Sequence, residues 1–288
     1  MNNTPRILDI QFTTLFEEEI LQLLRNHLTE KKSPPLFIAT PNPEILLSCK
    51  KNPAFKKILQ NTGLNLPDGN GIIWANKYLQ KKSWHTSAPI IYLQGIISVI
   101  TFLFHRKNDK KRFNKAIHGS DITTKICLDP ILSSRRIFLL GNAAGLAPNT
   151  SLLAGKKLRK LNPNINIAGE LDSSPDNPEI IPKINAGKAE ILFVAFGAPQ
   201  QETWLAHNLP HLPSVKIAIG VGGTFDFLAG ILPRAPGWMR KIGLEWFYRL
   251  LRQPRKRFKR IINAFFVFPK EVIKSRQANP DKHKNADT

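Results

Sequence analysis

Short apolar runs recur along the chain, and between them the apolar positions fall at helical spacing. PRILDI at residues 5–10, LFIAT at 36–40, LNL at 64–66, RRIFLL at 135–140, INIAG at 165–169, ILFVAF at 191–196 and VKIAIGV at 215–221 read as strands. Amphipathic segments separate most of them, and that alternation predicts a parallel α/β sheet. In such a sheet the ligand crevice lies beyond the carboxyl ends of the strands. The residues found there are PNPE, PDGNG, GNAAG, GAPQQE and GGTFD, following the runs that end at 40, 66, 140, 196 and 221. Any one of these loops would serve as an ordinary turn whose Gly or Pro meets backbone geometry alone. Five on one edge point to a shared ligand site.

Two regions break the rhythm. Residues 88–104, APIIYLQGIISVITFLF, are uncharged and run straight into HRKNDKKRF. As a helix, at about 1.5 Å per residue, they would span roughly 25 Å, short of the ~30 Å hydrocarbon core. The favoured reading is a monotopic or re-entrant membrane element, because Arg106, Lys107, Lys110, Lys111 and Arg112 suit lipid headgroups. A buried core helix is the alternative. In residues 237–276, Trp238, Ile242, Trp246 and Leu250 repeat at helical spacing, followed by Phe258, Ile261, Ile262 and Phe265 among Arg and Lys. A basic helix with aromatic residues on its apolar side is the pattern of a membrane-interface element.

Charge sharpens this. The 288 residues carry 42 Lys and Arg against 21 Asp and Glu, a formal net charge of +21. Such a balance calls for an anionic partner: nucleic acid, anionic lipid or a phosphorylated substrate. No helix-turn-helix, zinc-finger or RNP-like signature accompanies it, and the phenylalanines of AFFVFP are contiguous rather than interleaved as base platforms, so nucleic acid is set aside. Cys49 and Cys127 form no CxxC pair, which argues against a disulfide framework or thiolate zinc site. The opening MNNTPRILDIQF has no signal-peptide pattern, and a cytoplasmic location is expected. With no D-x-D and no paired spacing among seven histidines, neither a metal nor a cofactor is expected. No G-x-G-x-x-G follows the first strand, which argues against a dinucleotide-dependent oxidoreductase.

Chemistry concentrates in the strand-end loops. Asp68 lies in PDG, between a proline that fixes the chain and a glycine that permits close approach. That placement suits a general base, and equally an Asx-turn or helix cap before GIIWANKYL. Thr40 and Asn42 would orient sugar oxygens or merely shape a turn between two prolines. Gln201 opens a helix where its amide and nearby N–H groups suit an anionic donor, while Glu202 complements the helix dipole. Gly222 and Gly223 would let backbone approach a nucleotide, with Asp226 accepting from ribose hydroxyls. Arg249, Arg252, Arg255 and Arg257 offer planar forks for phosphate oxygens, whether of a diphosphate or of lipid.

Together TPNPE, LPDGNG, IFLLGN, GAPQQE, VGGTFDFLAG and RAPGWMRKIGLEWFYRLLRQP resemble the WecG/TagA/CpsF family, glycosyltransferase family 26, over roughly residues 5–265. The resemblance implies an inverting, metal-independent transfer of N-acetylmannosamine or its uronic acid. The donor would be a UDP-sugar and the acceptor an undecaprenyl-diphosphate-linked N-acetylglucosamine, in surface polysaccharide or teichoic-acid synthesis. It implies Asp68 as base, Thr40 and Asn42 in the active site, and Gly141, Gln201, Gly222, Gly223 and Asp226 around the donor. Arg249, Arg252 and Arg255 would meet the diphosphate or acceptor phosphate. Two departures stand out. In AIHGSD, Ala116 occupies the position of an arginine in the family pattern R-x-x-G-x-D, with Lys115 adjacent, and GELDSSPD replaces a GYF-like loop, where Ser173 and Ser174 cannot stack on a base. They raise the alternative of a non-catalytic adaptor of the same fold. The expected architecture is a Rossmann-like α/β core over residues 1–233 with an inserted apolar helical segment at 88–112. A C-terminal amphipathic helical appendage at 234–276 would dock on the anionic cytoplasmic face of the plasma membrane, before a disordered tail at 277–288.

Overall fold

The structure, a computed structural model, describes residues 4–30, 33–80, 97–98, 113, 115–142, 145, 147–233, 235–237, 239, 245–252 and 254–278. Six parallel strands form the central sheet: β3 (Leu36–Ala39), β4 (Leu64–Asn65), β5 (Ile137–Leu140), β6 (Ile167–Leu171), β7 (Ile191–Val194) and β8 (Ile217–Gly220). Their spatial order is β4-β3-β8-β7-β5-β6, which departs from the dinucleotide-binding order 3-2-1-4-5-6 while keeping the doubly wound α/β plan. The three strands β5, β7 and β8 are buried at every residue, so both faces are covered and the runs are continuously apolar instead of alternating.

Successive side chains leave a strand on opposite faces, and the core divides accordingly. Ile38, Leu139, Phe193 and Ile219 pack with helices α1 (Glu17–Thr29), α5 (Gly119–Leu128), α7 (Thr150–Leu161) and α10 (Thr224–Leu228). On the other face Ala39 packs with α2 (Pro43–Lys51), α3 (Pro53–Gln60) and α4 (Asn70–Gln80). There too Phe138, Val194 and Ala218 meet α8 (Ile180–Ala186) and α9 (Gln200–Asn208). The short helix α6 (Pro130–Ser133) links α5 to β5. Adjacent strands β3 and β8 therefore send the chain to opposite faces, α2 to one and α10 to the other. Their carboxyl ends part there, opening a crevice of the kind doubly wound sheets use for ligands.

Helix starts follow local grammar. Asn42, Asn52 and Asp129 each precede a proline at the first helical position, and each side-chain oxygen accepts from the backbone N–H of Ile45, Phe55, or Ile131 and Leu132, all at 3.0 Å. The first apolar run behaves differently from the parallel strand expected of it. Arg6–Ile7 (β1) pairs antiparallel with Ile10–Gln11 (β2) across Leu8 and Asp9, both with positive φ, +50° and +68°. A two-residue turn with both centres left-handed matches the twist of a hairpin, and it withdraws the segment from the sheet.

At the C-terminus, α11 (Glu245–Arg252), α12 (Pro254–Ile262), a π-helical turn (Asn263–Val267) and α13 (Phe268–Ala278) follow one another. Phe258 (63% exposed) and Phe266 (70%) face solvent together with Leu251. The last helix is part of the core. Phe268, Val272 and Ile273 are buried among α2 and α4, Phe268 meets Trp74 edge to face, and Arg276 donates to the Tyr78 carbonyl at 2.8 Å. The helix extends through Ala278, within the stretch expected to be a tail, and residues 279–288 lie outside the described residues. Of the apolar run at 88–104, only Ile97 and Ser98 are described; the rest, and the basic cluster after it, lie outside the described residues. Ser98 is buried and its hydroxyl accepts from Trp74 Nε1 at 3.0 Å. Among the described residues no helix is long and apolar enough to cross a membrane.

Candidate active site

Three segments converge beyond β3, β4 and the start of α5. Pro41 O accepts from Asp68 N at 3.2 Å, and Pro67 O accepts from Ile117 N at 2.8 Å. These backbone bonds bring Thr40, Asp68 and His118 to one place from positions far apart in the chain. Asp68 Oδ1 lies 2.7 Å from His118 Nδ1, with the carboxylate 28% and the imidazole 40% exposed. Thr40 is buried and donates to Gly220 O at 3.1 Å, joining the ends of β3 and β8. A Cβ on Gly119 would stand 3.6 Å from both the Thr40 and Thr224 hydroxyls, so the start of α5 closes against these two threonines. His118 belongs to none of the motifs that mark the strand-end loops. The only signal available was its place in AIHGSD, beside the missing arginine.

Asn42 serves as the N-cap of α2, its Oδ1 committed to Ile45 N. Gln201 is turned inward and 2% exposed. Its Oε1 accepts from Gly197 N at 3.2 Å and Gly222 N at 2.9 Å, while Nε2 donates to Glu202 Oε1 at 2.7 Å. One buried amide thus ties the loop after β7 to the loop after β8, and Gly222 meets it with φ +53°. Glu202 lies wholly buried, and desolvation pushes its carboxyl up to about 7, against the opposing hydrogen bond from Gln201. Asp226 is 1% exposed in the first turn of α10, and a Cβ on Gly223 would stand 3.2 Å from its Oδ2, so the carboxylate lies beneath the glycine and not on an open ribose shelf.

Gly141 is required by geometry. Its φ is +98°, and a Cβ there would meet Phe196 Cδ1 at 2.7 Å and Ala195 O at 2.9 Å. The start of α7, beyond GNAAG, is capped from within. Asp172 accepts from Thr150 N and Ser151 N, both at 2.7 Å. Ala116 is buried in the apolar core of the α4 face, and Lys115 beside it pairs with Glu17 at 3.3 Å. In the appendage Arg252 is exposed, its guanidinium 5.5 Å from the Tyr248 ring centroid; the side chains of Arg249, Arg255 and Arg257 lie outside the described residues. Arg260, not singled out by sequence, reaches Glu44 at 3.0 Å and tethers the appendage two residues beyond Asn42.

Asp68, His118 and Thr40 thus meet at the edge of a doubly wound sheet, and the basic appendage reaches Glu44 nearby. The Glycosyl transferase WecG/TagA/CpsF family matches residues 5–99 and 85–282, and the chain belongs to that family. It is a glycosyltransferase. Similar relatives include the N-acetylglucosaminyldiphosphoundecaprenol N-acetyl-beta-D-mannosaminyltransferase of Bacillus spizizenii, 29% identical, with 86% of this chain and 82% of that protein covered. The protein of the same name from Bacillus subtilis is 28% identical over 90% of this chain and 88% of its own length. That of Staphylococcus aureus is 26% identical over 87% and 86%.

Proposed function

We propose that this transferase moves N-acetylmannosamine, or its uronic acid, from a UDP-sugar onto N-acetylglucosamine linked to undecaprenyl diphosphate, with inversion at the anomeric carbon. The observation that carries the reading is the acid–base pair Asp68–His118 at the sheet edge, in a chain that aligns along most of its length with relatives named for that acceptor and that sugar. Inverting transfer requires a proton acceptor beside the attacking hydroxyl, and the Asp68–His118 pair places two titratable, partly exposed groups at the sheet edge. The acceptor oxygen attacks the anomeric carbon as its proton passes to this pair, and UDP departs on the opposite side. Thr40 holds the β3 and β8 ends together beneath the sugar, and Gln201 fixes the two loops that approach the nucleotide.

The leaving diphosphate develops charge, which arginines of the appendage are suited to neutralise, with Arg249, Arg252 and Arg255 the candidates. The exposed Phe258, Phe266 and Leu251, interspersed with basic residues, support docking on an anionic membrane at the cytoplasmic face, where a lipid-linked acceptor presents its sugar. The test is UDP release from UDP-N-acetylmannosamine with a lipid-diphosphate N-acetylglucosamine acceptor in vesicles. Asp68→Asn should lower acceptor-dependent release roughly 10²–10⁴-fold. Release that does not depend on acceptor, or an undiminished mutant, would contradict the assignment.

A further inference from the structure

We infer that His118, not Asp68, is the group that removes the acceptor's proton, with Asp68 acting as the positioning residue that sets its tautomer. The inference rests on the transferase reading above and deepens it. Nδ1 of His118 lies 2.7 Å from Asp68 Oδ1, the distance of a charge-assisted hydrogen bond. A carboxylate can only accept, so the proton between them sits on Nδ1. In a neutral imidazole that leaves the lone pair on Nε2. The carboxylate spends one oxygen on this contact and is the less exposed member, 28% against 40%.

The backbone holds the pair in place. Asp68 N and Ile117 N are each anchored on the neighbouring strand-end loop, and His118 immediately precedes the first turn of α5, where Gly119 packs on Thr40 and Thr224. Several charged groups lie on the elements around the ring. Lys115 is held by Glu17, Glu44 is held by Arg260, Asp226 is buried in α10, and Asp121 lies in the first turn of α5. In the step itself the acceptor O–H bond breaks and its proton goes to Nε2. The oxygen's electron pair forms the bond to the anomeric carbon, and the bond from that carbon to the diphosphate oxygen breaks with its electrons leaving on UDP. The Asp68 carboxylate stabilises the imidazolium, which afterwards returns its proton to solvent.

The experiment is a pH profile of kcat and KM for acceptor-dependent UDP release, using UDP-N-acetylmannosamine and lipid-diphosphate N-acetylglucosamine, on wild type, His118→Asn and His118→Gln. Asparagine can keep a donor toward Asp68 but cannot take up a proton. The expected result is a 10²–10⁴-fold fall in kcat for both variants, an unchanged KM for the UDP-sugar, and loss of the acid limb that the wild type shows in the imidazole range. A His118→Asn enzyme within about threefold of wild type would overturn the assignment and return the proton to Asp68. A wild-type acid limb confined to the carboxylate range would do the same without any variant, so misfolding of the mutants cannot shelter the idea. Silence of the wild type with every UDP-hexosamine would instead sink the transferase reading beneath it, and this assignment with it.

Discussion

Glu202→Gln isolates the energetic consequence of the buried bracket between the β7 and β8 loops. The carboxyl is fully buried, Oε1 accepts from Gln201, and Oε2 has no hydrogen-bond partner among the described residues. Burial raises its pKa from 4.5 to about 7. Below the unfolded value both states hold the proton and the site costs nothing by ionisation. Between about 4.5 and 7 the folded state binds a proton that the unfolded state has released, so stability falls as pH rises, and above 7 the full penalty is present. A shift of this size corresponds to about 3 kcal/mol, of which roughly 2–3 kcal/mol develops between about pH 5 and 8. Glutamine keeps the acceptor for Gln201 and cannot ionise, so the variant should match the protonated wild type in acid and exceed it in alkali. Thermal unfolding followed at both pH values should show the Tm difference, variant minus wild type, growing by roughly 5–10 °C toward alkaline pH. A difference that is constant with pH, or that grows toward acid, would refute the buried-carboxyl argument.

Other outcomes follow from particular contacts. Gly141→Ala places a methyl within 3 Å of Phe196 and Ala195 at a φ of +98°, and should lower stability by roughly 2–5 kcal/mol in denaturant melts while a Gly145→Ala control, with open space around it, costs less. Phe258→Ser with Phe266→Ser should weaken sedimentation with vesicles containing anionic lipid at least tenfold, since each ring buries about 1.5–3 kcal/mol of apolar surface on docking, and should leave Tm nearly unchanged because both rings are already exposed. Truncation after Pro233 should behave quite differently. It removes Phe268, Val272 and Ile273 from the core, and the shortened chain should unfold at markedly lower temperature in the same assay.

How much of this could be read from the chain depends on the range of the interaction. Six of the seven apolar runs became parallel strands in one sheet, because burial on both faces leaves a strong local signature in residues such as Ile191–Val194. The seventh became a hairpin through left-handed Leu8 and Asp9, a turn that carries no Asn-Gly or Asp-Gly signal. Loop chemistry was legible as position but not as direction. Gln201 and Asp226 lie at the strand ends where they were sought, yet both point inward, since only the packed loops decide which side of a turn is solvated. Asp172 capping Thr150 and Ser151, and His118 reaching back 50 residues to Asp68, are pairings between separate crossover units that no spacing rule encodes. The last helix shows the same limit. Its apolar stripe reads identically whether it faces lipid or Trp74, and the fold chose Trp74 for Phe268 while leaving Phe258 and Phe266 outside.

The central claim, transfer of a hexosamine to a lipid-diphosphate sugar, is tested most directly by mass spectrometry of the lipid product after incubating the full-length protein in vesicles with UDP-N-acetylmannosamine and lipid-diphosphate N-acetylglucosamine. The expected product is acceptor lipid heavier by one N-acetylhexosamine residue, with an equimolar yield of UDP. UDP formed without any heavier lipid would show hydrolysis in place of transfer and would contradict it.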